Sequence, residues 1–267
     1  MEILKKEMAP IPDEAWKEIT EQIQGVLKNH LTARKFVDID GPFGLEFGAV
    51  STGRLTLPGK KRNDGVNYGV REVKPLIEVR KLFDLDRWEL DNISRGAKDI
   101  DLEPAENAAK QVAGFEENVI YQGLKNAGVY GLEEKTLHSP VQLPPKADNI
   151  LRVIGEQINK MQRSAVEGPY SLIVNEKFWL ELINLTQGYP IVRQLTDILG
   201  GQIIVNDHTD NSYLVSERGG DFELTIGQDL SVGYEVHDSQ KVKLFITESF
   251  TFRVLSPEAV VVLLGKK

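Results

Sequence analysis

The sequence predicts an α+β fold rather than a regular alternation of strands and helices. Two segments in the first half carry apolar residues at steps of three and four, which is typical of amphipathic helices. The second half contains several short β-branched runs and one long strand-like segment, KVKLFITESFTFRVL. With 267 residues, the chain is long enough to bury a full core, and without cysteines it does so without disulfides.

Two long helices are predicted before residue 130. The first begins at Asp13, and its apolar stripe contains Trp16, Ile19, Ile23, Leu27 and Leu31. The second begins near Pro104 and has Gly128 as its stop signal. About two dozen residues at 1.5 Å per residue give this helix a length of about 35 Å, so we interpret it as the spine of a domain.

Shorter helices and strands are predicted after residue 140. The helices are Asp148 to Arg163, Asn175 to Leu185, and Pro190 to Leu199. The strand-like runs, in chain order, are YSLIVN, QIIVN, SYLVSE, FELTI, SVGYEV, the long segment quoted above and AVVVLL.

The segment Arg54 to Val73 reads as two short strands around a turn rich in glycine and charge. It has few large apolar residues to anchor it, and an isolated hairpin is marginally stable in water. Two alternatives follow: the hairpin lies on its own domain, or it is stabilised by another copy of the chain.

Composition excludes several classes of function. The chain has 32 basic and 40 acidic residues, a net charge of -8, which argues against a general nucleic-acid surface; KKRNDG, beginning at Lys60, is too short to form one. No apolar window is long enough to span a membrane, and the N-terminus does not resemble a signal peptide, so we expect a cytoplasmic protein.

The sequence shows no catalytic signature and predicts no metal site. The usual hydrolase and nucleotide-binding motifs are absent, and the four histidines are scattered along the chain. The loop Asn206 to Asn211 either holds a cation weakly or is a solvated or pore-lining loop. Adjacent carboxylates such as Glu116 with Glu117 and Glu133 with Glu134 point apart on a helix, so we interpret them as solvated faces.

Two further features have both a ligand-binding and a structural interpretation. Trp88, near Arg80 and Arg87 in sequence, either stacks on a flat ligand such as a flavin or anchors a core or an interface. No cofactor is otherwise expected. The stretch ERGGDFELTIGQDLSVGYE, which begins at Glu217, suggests a phosphate or metal site, but its alternation of apolar and polar residues after Gly219 and Gly220 favours a turn followed by a half-buried strand.

Five long blocks together resemble the encapsulins, shell proteins related to the major capsid proteins of tailed phages. They occur in the family's order and cover nearly the whole chain: RKFVDIDGPFGLEF, PLIEVRKLFDLDRWELDNISRG, EGPYSLIVN, SERGGDFELTIGQDLSVGYE, and LFITESFTF followed by SPEA. The resemblance implies a phage-capsid fold with a peripheral domain (1–48, 76–129 and 228–267), an extended loop (49–75) and an axial domain (130–227). It also implies that the predicted hairpin from Arg54 to Val73 is the extended loop and lies over a neighbouring subunit.

The resemblance implies a function in containment rather than catalysis. Copies of the chain would form a closed icosahedral shell in the cytoplasm and package a peroxidase or a ferritin-like enzyme that carries a C-terminal targeting peptide, for oxidative-stress defence or iron storage. The positions that match the family's peptide-binding groove are Leu27, Leu31, Arg34, Asp38, Asp229, Leu230, Val232 and Tyr234.

The loop that matches the family's five-fold pore departs from the family pattern. It is shorter and more nearly neutral than in many members, with Thr186, Gln187, Gly188 and Tyr189, so we expect selectivity at such a pore to depend on its width and on amide dipoles more than on fixed charge. Two alternatives to a nanocompartment shell are a prophage major capsid protein and an enzyme of the protease or bacteriocin type, labels once given to relatives of this family.

Overall fold

The computed structural model describes residues 3–57, 59, 66–144, 147–187 and 189–265. These residues form seven α-helices: α1 (Asp13–His30), α2 (Arg87–Ser94), α3 (Glu103–Gln122), α4 (Leu132–Lys135), α5 (Ala147–Arg163), α6 (Glu176–Asn184) and α7 (Ile191–Leu199). The first seven strands are β1 (Asp38–Asp40), β2 (Ala49–Thr56), β3 (Val70–Pro75), β4 (Ile77–Asp86), β5 (Val141–Gln142), β6 (Tyr170–Val174) and β7 (Thr186–Gln187). The remaining strands are β8 (Tyr189–Pro190), β9 (Gly200–Val205), β10 (Ser212–Ser216), β11 (Phe222–Ile226), β12 (Ser231–His237), β13 (Lys241–Val254) and β14 (Val260–Leu264).

The long strand β13 organises the first sheet. It pairs antiparallel with β4 along Lys241–Phe250. Its other edge holds β12 and then β11, and β1 adds in parallel to β11. Because β13 is 14 residues long, one edge can hold two successive partner strands. This sheet therefore joins residues from the beginning, the middle and the end of the chain.

The second sheet has the strand order β5-β14-β10-β6-β9. The pairs β5–β14 and β6–β9 are parallel, whereas β10 is antiparallel to both of its neighbours. β6 and β10 are buried along their whole length, as expected for strands in the middle of a covered sheet.

Helix α3 connects two apolar cores. Its first half, from Ala105 to Ala113, packs into the core that contains α1, α2, β4 and β12. Its last residues, Val119 to Tyr121, belong to the core that contains α5, α6, α7 and the second sheet. The interpretation of this helix as a spine agrees with these contacts, although the helix is shorter than predicted and ends before Gly123, whose positive φ of 87° stops it.

The sequence located the other long helices and the longer strands of the second half correctly but missed α2, α4, β4 and the short strands β1, β5, β7 and β8. The strand β4 has apolar residues at alternate positions, Ile77, Val79, Phe83 and Leu85, and Lys81 interrupts the pattern. That period of two was the signal that could have identified it.

The predicted domain boundary near residue 227 does not separate the two sheets. β11 lies before this boundary but belongs to the first sheet, and β14 lies after it but pairs with β10 in the second sheet. The chain crosses between the sheets because hydrogen-bonded pairing, rather than order along the chain, decides which strands share a sheet. The division into peripheral and axial domains otherwise stays a prediction.

The hairpin of β2 and β3 forms a separate two-stranded sheet among the described residues. The Leu55 and Val70 side chains are 58% and 59% exposed. The turn that contains KKRNDG falls outside the described residues. Within one chain, the hairpin is therefore an arm with an apolar surface that faces solvent.

Candidate functional site

The end of α1 and the strand β12 meet in one apolar core. Leu27 and Leu31 on the helix side and Val232 and Tyr234 on the strand side are all buried in it, and Leu230 packs against it half-buried. The fold therefore brings together the apolar residues of the predicted peptide groove. The N-terminal residues cover part of this region, because the backbone N–H of Tyr234 donates to the carbonyl oxygen of Leu4 at 2.8 Å.

Arg34 donates hydrogen bonds to carboxylates from three other segments of the chain. Its Nε and Nη2 donate to the two oxygens of Glu116 at 2.9 and 2.6 Å, Nη1 donates to Asp229 at 3.1 Å, and Nη2 also donates to Glu248. Glu116 and Glu248 are fully buried, whereas the Asp229 side chain is 48% exposed. The geometry with Glu116 is bidentate, which is a strong arrangement for arginine and a carboxylate.

The charges of this cluster depend on one another. Burial alone would lower the pKa of Arg34, but the hydrogen bonds and charge of Glu116, together with Glu248 and Asp229, raise it overall. Burial and the nearby charge of Glu116 raise the pKa of Glu248 well above its usual value. The guanidinium is therefore permanently charged and already bound to protein carboxylates, and only Asp229 extends this network to the surface.

Asp38 has a separate role at the surface. It is the first residue of β1, and its Oδ2 accepts a hydrogen bond from the backbone N–H of Gly220 at 2.6 Å. Gly219 and Gly220 have positive φ angles of 82° and 77°, and the strand β11 follows them. This confirms that the glycine-rich stretch is a turn and a strand. Asp38 is hydrogen-bonded to that turn, whereas Arg34 binds other carboxylates.

Glu116 and Glu117 are both buried, so their interpretation as a solvated face is wrong. The two residues do point apart, but each side of α3 is covered. Glu117 accepts hydrogen bonds from the Thr32 hydroxyl, the Ala33 backbone N–H at 2.8 Å and the Asn206 amide at 2.8 Å. The second predicted pair, Glu133 and Glu134, is half-buried and also has protein partners.

Glu117 gives the stability of the chain an expected dependence on pH. Burial raises the pKa of Glu117 from 4.5 to about 8, and hydrogen bonds from Thr32 and Ala33 oppose the rise. Between these two values the folded chain holds one proton more than the unfolded chain. The free energy of unfolding therefore falls as pH rises from 4.5 through about 8, with a slope of up to about 1.4 kcal/mol per pH unit from this group.

Urea unfolding across this range checks the slope, with Glu117→Gln as the variant and Glu156→Gln as the surface control. Glu248 also has a raised pKa, so the wild type has contributions from more than one group. The difference between wild type and Glu117→Gln isolates one of them. Equal slopes in the wild type and Glu117→Gln would contradict the expectation.

Three of the four predicted pore residues, Thr186, Gln187 and Tyr189, lie in two short strands. β7 and β8 pair with each other, with Thr186 opposite Pro190 and Gln187 opposite Tyr189. Gly188 lies outside the described residues. The assignment of this turn to a pore stays a prediction.

Trp88 is 69% exposed on α2, and the guanidinium of Arg95 lies 5.6 Å from its ring centre. Arg80 is not its partner. Arg80 lies over the ring of Phe245 at 4.3 Å, and Asp86 lies six positions further along the extended strand β4, about 20 Å away at 3.3 Å per residue. Trp88 and Arg80 therefore do not form one site within a chain, and a flavin at Trp88 stays a prediction.

Among the described residues, no helix is long and apolar enough to cross a membrane.

Two solved structures have the same fold. A virus-like particle protein from Pyrococcus furiosus matches with a TM-score of 0.65 and 19% identity, covering 92% of this chain and 98% of that chain. The capsid of the Myoviridae phage XM1 matches with a TM-score of 0.54 and 13% identity, covering 88% and 92%. The chain therefore has the capsid-like fold that these two proteins share.

Sequence comparison identifies the family. The family model Linocin_M18, described as "Encapsulating protein for peroxidase", matches residues 1–251. A type 1 encapsulin shell protein of Rhodococcus erythropolis is 38% identical over 259 residues, covering 97% of this chain and 98% of that protein. A ferritin-like-encapsulin shell fusion protein of Pyrococcus furiosus is 25% identical over 209 residues, covering 76% of this chain and 56% of the fusion. The chain belongs to the encapsulin shell-protein family.

Proposed function

We propose that copies of this chain assemble into a closed icosahedral shell in the cytoplasm and enclose a cargo enzyme. The observation that carries this proposal is the apolar hairpin of β2 and β3, which pairs with no other described strand of its own chain. A hairpin of this kind gains stability when a neighbouring copy covers it. Membership in a family of shell proteins supports the same partner, a second copy of the chain.

The cargo is a peroxidase or a ferritin-like enzyme with a C-terminal targeting peptide, and the compartment serves oxidative-stress defence or iron storage. The family description supports the first cargo class, and the fusion protein of Pyrococcus furiosus supports the second. A prophage head protein is less well supported, because the phage match is at 13% identity and extends to the fold alone. The shell itself has no catalytic role in this proposal, and cargo-free shells should not cleave peptides.

Size-exclusion chromatography and negative-stain microscopy of the purified chain test the assembly. We expect a particle in the megadalton range that appears as a hollow sphere. A monomer or dimer under all conditions would contradict the proposal. The neighbouring genes distinguish the alternatives, because a prophage head protein lies beside portal and terminase genes, whereas an encapsulin lies beside a cargo gene.

The most accessible part of the proposed peptide site is its rim, formed by Asp229 and Leu230. Leu27, Leu31, Val232 and Tyr234 are buried within the chain, whereas Leu230 is half-buried and adjacent to Asp229, which is also half-buried. A peptide that binds here first contacts these two residues and reaches the others where their side chains border the rim. Apolar contacts give such a site affinity, and a charge beside them fixes the register of the peptide.

Leu230→Glu is expected to reduce cargo loading at least about tenfold, because it places a charge in the apolar part of the rim. The cargo protein encoded beside the shell gene is co-expressed, and its ratio to shell protein is measured after purification. Val236→Glu is the matched control, since Val236 lies on β12, which begins directly after Leu230, and is exposed and outside the proposed site. Intact shells with unchanged loading would refute the site but not the shell function.

A further inference from the structure

Two histidines and one aspartate from distant parts of the chain meet beside the end of α1. His30 is the last residue of this helix, and Asp207 and His208 lie in the loop between β9 and β10. One ligand atom from each side chain lies within 4.8 Å of the other two. The histidines are scattered in the sequence, but the fold places the rings of His30 and His208 5.3 Å apart.

The carboxylate of Asp207 faces both imidazole rings. Its Oδ2 is 3.4 Å from Nδ1 of His30, and its Oδ1 is 3.3 Å from Nε2 of His208. In a tetrahedral site with metal–ligand bonds of about 2.0–2.1 Å, two ligand atoms are about 3.3–3.4 Å apart. Each histidine nitrogen is thus at ligand spacing from one oxygen of Asp207, and one ligand atom from each of the three side chains lies within 4.8 Å of the other two.

The His208 ring is held in place from two sides. A Cβ atom at position 114 would lie 2.9 Å from Nδ1 of His208, so the absence of a side chain at Gly114 in the middle of α3 makes room for the ring. Glycine inside a helix costs about 0.5–1 kcal/mol relative to alanine, and at this position it leaves the room that the His208 ring occupies. On the loop side, the His208 backbone N–H donates to Asn206 Oδ1 at 2.7 Å, and Asn206 is in turn bound to Glu117.

One nitrogen of this ring has no hydrogen-bond partner. Nε2 of His208 is buried and makes no hydrogen bond to any described residue, so its 3.3 Å approach to Asp207 is a contact without hydrogen-bond alignment. Burial lowers the pKa of His208, and His30 adds to this effect while Asp207 opposes it. A buried imidazole nitrogen that makes no hydrogen bond to the described residues is available to bind a metal ion.

We propose that His30, Asp207 and His208 bind one divalent transition-metal ion, with zinc as the best-fitting class. Two imidazoles and one carboxylate suit zinc and its neighbours in the first transition row, whereas calcium and magnesium prefer oxygen ligands throughout. The Asp207 side chain is 49% exposed, so an ion can enter from solvent and a water molecule can complete the coordination. The ion would fasten the end of α1 to the β9–β10 loop.

Metal binding is tested with untagged protein that has been dialysed against a chelator. Calorimetric titration with Zn²⁺ is expected to give one ion per chain, and Co²⁺ is expected to give visible absorption bands of a tetrahedral site. His30→Gln and Asp207→Asn are each expected to weaken Zn²⁺ binding at least about tenfold. His237→Gln is the matched control, because His237 lies elsewhere, next to the hydroxyl of Tyr234, and should leave the binding unchanged.

Thermal unfolding gives a second measurement that does not depend on His208, whose replacement could disturb packing. Zn²⁺ should raise the melting temperature of the wild type and of His237→Gln but not that of Asp207→Asn. Absence of saturable Zn²⁺ binding by the wild type would overturn the proposal, as would equal affinity in the wild type and in His30→Gln combined with Asp207→Asn. The three ligands belong to one chain, so these results are independent of whether the chain forms shells.

Discussion

Replacing Leu55 and Val70 together by glutamate is expected to abolish shell formation while the individual chain stays folded. Both side chains are exposed on the β2–β3 hairpin, where they contribute little to the core of their own chain. If a neighbouring copy covers the hairpin, each substitution buries a carboxylate without a partner at the subunit contact. Such a charge costs several kcal/mol, and the cost recurs in every subunit of a closed shell.

Size-exclusion chromatography with light scattering measures the effect, and circular dichroism checks that the chain is folded. The control is Leu55→Val combined with Val70→Ile, which keeps both positions apolar and should still give shells. Full-sized particles from the glutamate variant would mean that the hairpin is not an assembly contact. Unfolded protein would mean that the hairpin supports its own domain, the alternative that the sequence left open.

Arg34→Ala is expected to lower the free energy of unfolding by about 3–5 kcal/mol, because it leaves Glu116 and Glu248 buried without their cation. For a chain of this size, the apparent melting temperature should fall by about 10 °C. The matched control is Arg152→Ala, which removes an exposed pair with Glu156 and should cost less than about 1 kcal/mol.

Removing the two buried carboxylates from the Arg34→Ala variant separates the effect of unpaired charge from the loss of side-chain packing. Glu116→Gln combined with Glu248→Gln should recover part of the stability of Arg34→Ala, since no buried carboxylate then lacks a partner. A loss of less than about 1 kcal/mol in Arg34→Ala alone would contradict the structural role. Because of this role, a change in cargo loading in Arg34→Ala would not by itself identify a peptide contact, and Leu230→Glu is the cleaner test.

Local patterns in the sequence were sufficient for the regular elements. The stripe of Trp16, Ile19, Ile23 and Leu27 has the period of an amphipathic helix, and α1 follows it. The alternation of Phe222, Leu224 and Ile226 predicted β11 in the same way. These predictions succeeded because the period of apolar residues is set by backbone geometry, which acts over a few residues.

Patterns of charge were less informative, because burial of a charge depends on partners that are far away in sequence. Glu116 and Glu117 have no apolar or conformational signal that predicts burial. Their partners, Arg34, Thr32 and Ala33, are more than 80 residues away along the chain. The apolar members of the proposed peptide site could be identified by resemblance, but only the fold reveals that they are largely covered within the chain.

By itself, the sequence determined the α+β class, the positions of the long helices and most strands, and membership in the encapsulin family. Only the tertiary structure decided that β14 joins the second sheet, that Arg34 binds buried carboxylates, and that His30 and His208 meet at Asp207. The physical reason is the range of the interactions. Helix and strand periodicity is written in neighbouring residues, whereas ion pairs, sheet order and metal-ligand geometry depend on contacts between residues that only folding brings together.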